Sequence, residues 1–220
     1  MSNPMWKKEI ERKYIIQNIS QFKIFRQHAI QNGLISKYSG LQRDWVPDFA
    51  GSEMKNNGIL LRVRHTSVYT GNFPEWIITL KIKNNIDGLH KNHELEATSE
   101  SPQSVQALEA DLEKRFQKKI NLLKLASLGQ EYASKVGLIK HRILLEKNRE
   151  EFSDLSGGIL LAFDQLPMPL GTFLELETRE QKHLLSWEVI LGLKGLPIAK
   201  IDYGEMVKNL SLKPERTLVF

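Results

Sequence analysis

Apolar and polar residues alternate with a period of two in eight runs of the chain: residues 7–16, 41–47, 59–68, 75–83, 92–98, 138–147, 158–164 and 172–178. Such alternation predicts strands. Between them the spacing turns helical. Phe22, Phe25, Ala29 and Ile30 share one face over 20–32, with Gly33 as a stop. Ser101-Pro102 opens a second helical segment, in which Val105, Leu108, Leu112 and Phe116 align, and helix continues towards Gly137. Thr178 with Gln181 reads as a capping box before a helix over 179–192, and a last helix is expected over 202–209. Asp87-Gly88 marks a hairpin turn. This order predicts an α+β fold on a mostly antiparallel sheet. No linker or repeat divides the chain, so one domain over residues 1–220 is expected.

The polar faces of these strands are unusual. Residues i and i+2 of a strand point the same way. Glu9, Glu11 and Lys13 therefore share a face, as do Arg62 with Arg64, Thr79 with Lys81 and Lys83, and Glu94 with Glu96. Lys140 pairs with Arg142 in the same sense, Asp164 ends an apolar strand, and Glu175 pairs with Glu177. A solvated face normally mixes Thr, Ser, Gln, Lys and Glu. Pure acidic pairs on some strands and pure basic pairs on others sort charge across a cavity. The helices at 20–32 and 102–136 then cover the apolar faces from outside, with charge inside.

Buried charges are costly unless paired or bound to ions. The inward set holds seven basic and seven acidic side chains. Two divalent cations would bring such a site near the charge that balances an ionised triphosphate. Carboxylates are the hard donors that Mg²⁺ and Mn²⁺ prefer, and Arg and Lys suit phosphate oxygens.

Composition narrows the alternatives. Lys and Arg total 31 against 26 Asp and Glu, a formal charge of +5, which is compatible with an anionic ligand. The absence of cysteine excludes disulfides and thiolate metal sites. No secretory h-region and no membrane-length apolar run is present, so a cytoplasmic protein without membrane partners is expected. There is no P-loop motif, Gly157-Gly158 reads as a turn, and His93 and His141 alternate outward. A nucleic-acid site could draw on Arg62, Arg64, Lys81 and Lys83 with Tyr69, Phe73 and Trp76, but the carboxylate pairs would repel a phosphate backbone.

In their order these residues resemble the CYTH family, the triphosphate tunnel metalloenzymes. The family's ExExK signature is matched by Glu9-Ile10-Glu11-Arg12-Lys13, its RxR strand by Arg62-Val63-Arg64, and its TxK strand by Thr79-Leu80-Lys81. The following ExE is matched by Glu94-Leu95-Glu96, and the KxR strand by Lys140-His141-Arg142. Asp164, then Leu170-Gly171-Thr172-Phe173-Leu174-Glu175-Leu176-Glu177, match the closing acidic strands, and Tyr203 falls in the family's C-terminal helix. Two departures bear on substrate choice: Asn92 stands where many members have Arg, and Asp202 precedes Tyr203 where Ser is common.

The resemblance implies an eight-stranded antiparallel closed β-barrel, a tunnel with a charged interior and helices outside. It implies Mg²⁺ or Mn²⁺ held by Glu9, Glu11, Asp164, Glu175 and Glu177. Catalysis would centre on Glu9, Glu11 and Lys13. A small-molecule triphosphate would be held by Lys13, Arg62, Arg64, Lys81, Lys83, Glu94, Glu96, Lys140 and Arg142, with Lys200 as a lid cation. The expected activity is metal-dependent hydrolysis of tripolyphosphate or an organic triphosphate. The alternatives are a class IV-type adenylyl cyclase and a non-catalytic polyphosphate binder. A monomer or homodimer without nucleic acid is expected.

Overall fold

Among the described residues the chain runs β1 (Lys7–Ile16), α1 (Ile19–Gln31), β2 (Ile35–Phe49), α2 (Glu53–Asn56), β3 (Ile59–Gly71), β4 (Trp76–Ile82), β5 (Asn85–Ile86) and β6 (Leu89–Thr98). Helices α3 (Gln103–Phe116), α4 (Leu122–Leu128) and α5 (Gln130–Lys135) follow, then β7 (Leu138–Ser153), β8 (Ile159–Leu166), β9 (Gly171–Thr178), α6 (Gln181–Ile190), α7 (Tyr203–Leu210) and β10 (Arg216–Leu218). The computed structural model describes residues 6–83, 85–86, 88–101, 103–210 and 216–218, without the side chains of 85–86, 130, 139–143, 208 and 216–218.

Eight strands pair in the order β1-β9-β8-β7-β2-β3-β4-β6, and β6 returns to β1. Every pairing in this ring is antiparallel. Closure leaves no free strand edge in the ring. The short β5 extends β6, and β10 lies parallel to β7.

The apolar half of each alternation points outward into helices. Leu61, Val63, Ile78, Leu80, Leu95 and Ala97 of β3, β4 and β6 are buried with Val105, Leu108 and Leu112 of α3 and Leu122 and Leu125 of α4. On the far side Ile10, Leu161, Phe163, Leu174 and Leu176 pack with Phe25 and Ala29 of α1 and Leu184 of α6. Each such fully buried aliphatic or aromatic side chain contributes about 1.5–3 kcal/mol, and this outer layer offsets the cost of a charged interior. A third cluster joins Leu145, Leu166 and Phe173 to Tyr203 and Val207, so α7 closes one end of the ring. Helix α1 is capped by Asn18, whose side chain accepts from the Gln21 N–H at 3.0 Å, and it ends before Gly33 at φ 83°.

Two expectations change in detail. The Thr178–Gln181 capping box does not form: Thr178 is the last residue of β9 and its hydroxyl bonds to the Glu180 carbonyl at 2.9 Å, while Glu180 occupies the cap. Strands β2 and β7 run longer than the alternation predicted, because in an inside-out barrel their inward face is polar and blurs the pattern. In the hairpin turn Gly88 is present with φ 77°, whereas Asp87 lies outside the described residues. No described helix is long and apolar enough to cross a membrane.

Candidate functional site: a charged tunnel

The inward faces enclose a cavity of about 340 Å³. Nine carboxylates and seven Lys or Arg side chains line it. The ring order sorts them. Strands β6, β1 and β9 are neighbours and carry Glu94, Glu9, Glu11 and Glu177. Strands β7, β2 and β3 form the opposite wall and carry Lys147, Arg149, Arg62 and Arg64.

On the acidic wall one ammonium serves three carboxylates. Lys81 Nζ lies 2.6 Å from Glu9, 2.7 Å from Glu94 and 3.3 Å from Glu11. That does not neutralise the cluster. Burial, with the charges of Glu94 and Glu11 adding to it, pushes the Glu177 carboxyl up to about 8. Burial raises Glu9 well above the carboxylate range too, with Glu11 and Glu177 adding repulsion. Glu9 Oε2 is buried and, although close to Lys81, has no hydrogen bond of normal alignment. Among the described residues no three acidic or imidazole groups are already drawn together as an ion site.

The opposite wall is more completely paired. Arg64 forks onto Asp44, Nε to Oδ1 at 2.6 Å and Nη2 to Oδ2 at 2.8 Å. Burial opposes the Asp44 charge, but Arg64 outweighs it and holds the carboxyl well below its usual range. Arg149 donates to both oxygens of Asp164, at 2.5 and 2.6 Å, and also pairs with Glu175 and with Glu151. Asp164 accepts further from Lys147 at 3.0 Å and from the Tyr203 hydroxyl at 2.9 Å. Burial lowers the Lys147 ammonium to about 8, helped by Arg149. Lys13 lies 2.5 Å from Glu175 and 3.2 Å from Glu11, with its ammonium 4.3 Å from the Tyr203 ring centre. Arg62 differs from these. It donates to Thr79 at 3.0 Å and stands 4.0 Å from Glu96, and its Nε is buried without a hydrogen-bond partner.

No protein-family model matches the sequence, and no curated protein does. Solved structures do match. A protein from Pyrococcus horikoshii superposes with a TM-score of 0.60 at 19% identity, over 92% of this chain and 99% of its own. A candidate adenylate cyclase from Vibrio parahaemolyticus gives 0.60 at 15%, over 93% and 99%. A candidate adenylyl cyclase from Hippeastrum, described as having a dominant triphosphatase activity, gives 0.58 at 19%, over 96% and 98%. The chain has the CYTH, or triphosphate-tunnel, fold.

Most residues singled out from the sequence stand in this tunnel. Glu9, Glu11, Lys13, Arg62, Arg64, Lys81, Lys83, Glu94, Glu96, Glu175 and Glu177 line it, and Asp164 is fully buried behind Arg149 and Lys147. Lys83 pairs with Asp202 at the start of α7. Lys200 is exposed and outside the lining, where Asp202 and Tyr203 take part instead. The side chains of Lys140 and Arg142 lie outside the described residues. Among the described residues, the basic pair that faces the tunnel from β7 is Lys147 and Arg149.

Sequence reading therefore missed Lys147 and Arg149, with Asp44, Glu151 and His90. The signal for the first two was present. Lys147-Asn148-Arg149 repeats the Lys-x-Arg spacing nearer the Gly157-Gly158 turn. In the structure the register sets Arg149 opposite Asp164.

Proposed function

We propose that the chain is a divalent-metal-dependent hydrolase of triphosphates bound inside the tunnel. The observation that carries this is the sorting of charge onto opposed walls. On the basic wall Arg62 Nε is buried without a hydrogen bond, and on the acidic wall the one ammonium of Lys81 serves Glu9, Glu11 and Glu94. One wants an anion and the other a cation, and a metal triphosphate supplies both.

The residues fit a hard divalent ion. The lining has more carboxylates than cations, and the surplus is concentrated where Glu177 is driven towards protonation. Glu9, Glu11 and Glu177, with Glu94 beside them, would hold Mg²⁺ or Mn²⁺ through oxygen donors. Asp164 and Glu175 are less suited than the sequence implied, because Arg149, Lys147 and Lys13 already neutralise them. A bound divalent ion supplies positive charge to the phosphate oxygens and makes a water more acidic.

The chain's own groups account for the rest. Arg62 and Arg64 of β3 and Arg149 of β7, on the same wall, would present guanidinium donors to phosphate oxygens, and Lys147 of β7 an ammonium. Asp44 and Asp164 fix the directions of Arg64 and Arg149, so that those charges are in place before substrate arrives. Lys13, held between Glu175 and Glu11, carries positive charge into the acidic half. Positioning and charge are most of what phosphoryl transfer asks of a protein.

The test is a product analysis with Mg²⁺ or Mn²⁺, using tripolyphosphate, ATP and thiamine triphosphate. Release of orthophosphate supports hydrolysis. Cyclic AMP with pyrophosphate as the main products from ATP would assign the tunnel to cyclisation instead.

A further inference from the structure

The sorting of carboxylates and cations leaves one lining residue of the acidic wall unexplained. His90, the second residue of β6, lines the cavity. It is 6% exposed, and its Nε2 is buried without a hydrogen-bond partner. Among the described residues it is the one imidazole in the lining. A buried ring nitrogen left unpaired is costly, so it calls for a partner that the protein itself does not supply.

The register points to that partner. His90 stands directly across from Glu11 of β1. Side chains opposed in this way start from Cβ atoms about 4.5–5.5 Å apart, so the imidazole and the Glu11 carboxylate can reach one ion between them. Glu94 lines the cavity from the same strand as His90, and Glu177 from β9 on the other side of β1. The charged groups that act on the ring are Glu11 and Asp202, with Lys13 and Lys81. In the structure the carboxylates of this wall turn to Lys81 and Lys13, and His90 Nε2 bonds to neither. A phosphate oxygen brought to His90 would meet the like charges of Glu11 and Asp202. A divalent cation would meet carboxylates and a nitrogen lone pair.

We propose that His90 Nε2 is a ligand of the divalent ion on the acidic wall, so that the tunnel selects a transition ion such as Mn²⁺ over Mg²⁺. The proposal rests on the metal reading above and adds a nitrogen to its oxygen donors. Mg²⁺ takes oxygen ligands and gains little from imidazole, whereas first-row transition ions accept it. The donor set of Glu9, Glu11, Glu94 and Glu177 alone would carry no such preference.

Pulsed electron paramagnetic resonance of Mn²⁺ on the full chain tests it, because a directly bound imidazole nitrogen modulates the electron spin echo. Calorimetric titration with Mn²⁺ and with Mg²⁺, each as the metal alone, gives the affinities. The wild type should show the nitrogen modulation, and His90→Phe should abolish it. His90→Phe should also weaken Mn²⁺ binding by about tenfold or more, a loss already typical of removing an outer-shell partner, while Mg²⁺ binding stays within twofold of wild type. If His90→Phe does not fold, the wild-type spectrum still decides, since no other described imidazole lines the cavity. Bound Mn²⁺ without nitrogen modulation, modulation that persists in a folded His90→Phe, or equal losses for both ions would overturn His90 as a ligand and leave the carboxylate site standing. Failure of the wild type to bind either ion, alone or with tripolyphosphate, would overturn the metal reading together with this proposal.

Discussion

Lys81 places its ammonium 2.6 Å from Glu9, on the wall where acid is in surplus. The same ammonium also serves Glu94 and Glu11, so one cation supports three buried carboxylates. Removing it leaves charge that only protons or another cation can neutralise. Lys81→Met should therefore lower thermal stability at pH 8, by about 3–5 kcal/mol, and recover part of the loss on addition of Mg²⁺ or Mn²⁺. Calorimetric melting with and without the ions checks this. A variant as stable as wild type, or one indifferent to the ions, would contradict the cluster's role.

Glu177 gives a pH dependence with a definite sign. Its ordinary value of 4.5 rises to about 8 in the fold, chiefly through burial. A raised carboxyl contributes stability that is fully present below the ordinary value and is lost as pH rises through the folded one. Between about pH 4.5 and 8 the metal-free protein should lose this contribution, and Glu177→Gln should flatten that part of the profile. Divalent ions should stabilise the wild type more at pH 8 than at pH 5. Parallel slopes for wild type and variant would show that Glu177 does not titrate this way.

The two arginines of β3 should behave differently. Arg64→Ala strands Asp44 as a buried unpaired charge, costing about 3–5 kcal/mol of stability in addition to weaker binding. Arg62 has only Thr79 and a 4.0 Å contact with Glu96, so Arg62→Ala should leave the melting temperature almost unchanged. Its effect should be a lower kcat/KM, by about tenfold or more for one charge-assisted contact. Equal losses of stability in the two variants would refute the distinction.

The alternation of apolar residues made the ring and its helical cover legible, because Val63 and Leu176 each sit between two charges that point to the other face of the strand. Glu9, Glu11, Arg62, Arg64 and Glu177 were legible for the same reason. Asp44, on a strand whose inward face also carries Gln42 and Gly40, was not, since no pair of like charges marks it. Lys147 and Arg149 were hidden by a second Lys-x-Arg at Lys140 and Arg142 in the same strand. Alternation cannot choose between two such pairs at opposite parity. The register with Asp164 shows that Lys147 and Arg149 face inward. Which carboxylates are left to hold a metal was also beyond the sequence. That depends on which of them Arg149, Lys147 and Lys13 reach across the ring.

The central claim is that acid on one wall and base on the other serve metal-dependent hydrolysis of a triphosphate. The most direct measurement is phosphate release from tripolyphosphate by wild type and by the Glu9→Gln, Glu11→Gln double variant, each assayed in Mg²⁺ or Mn²⁺ and after metal removal by chelator. The amides keep the shape but remove two charges from the acidic wall. The account predicts release by the metal-loaded wild type only, with the variant folded and reduced by at least about a hundredfold, since loss of metal-borne charge costs several kcal/mol. Full turnover in excess chelator, or a folded double variant as active as wild type, would contradict it.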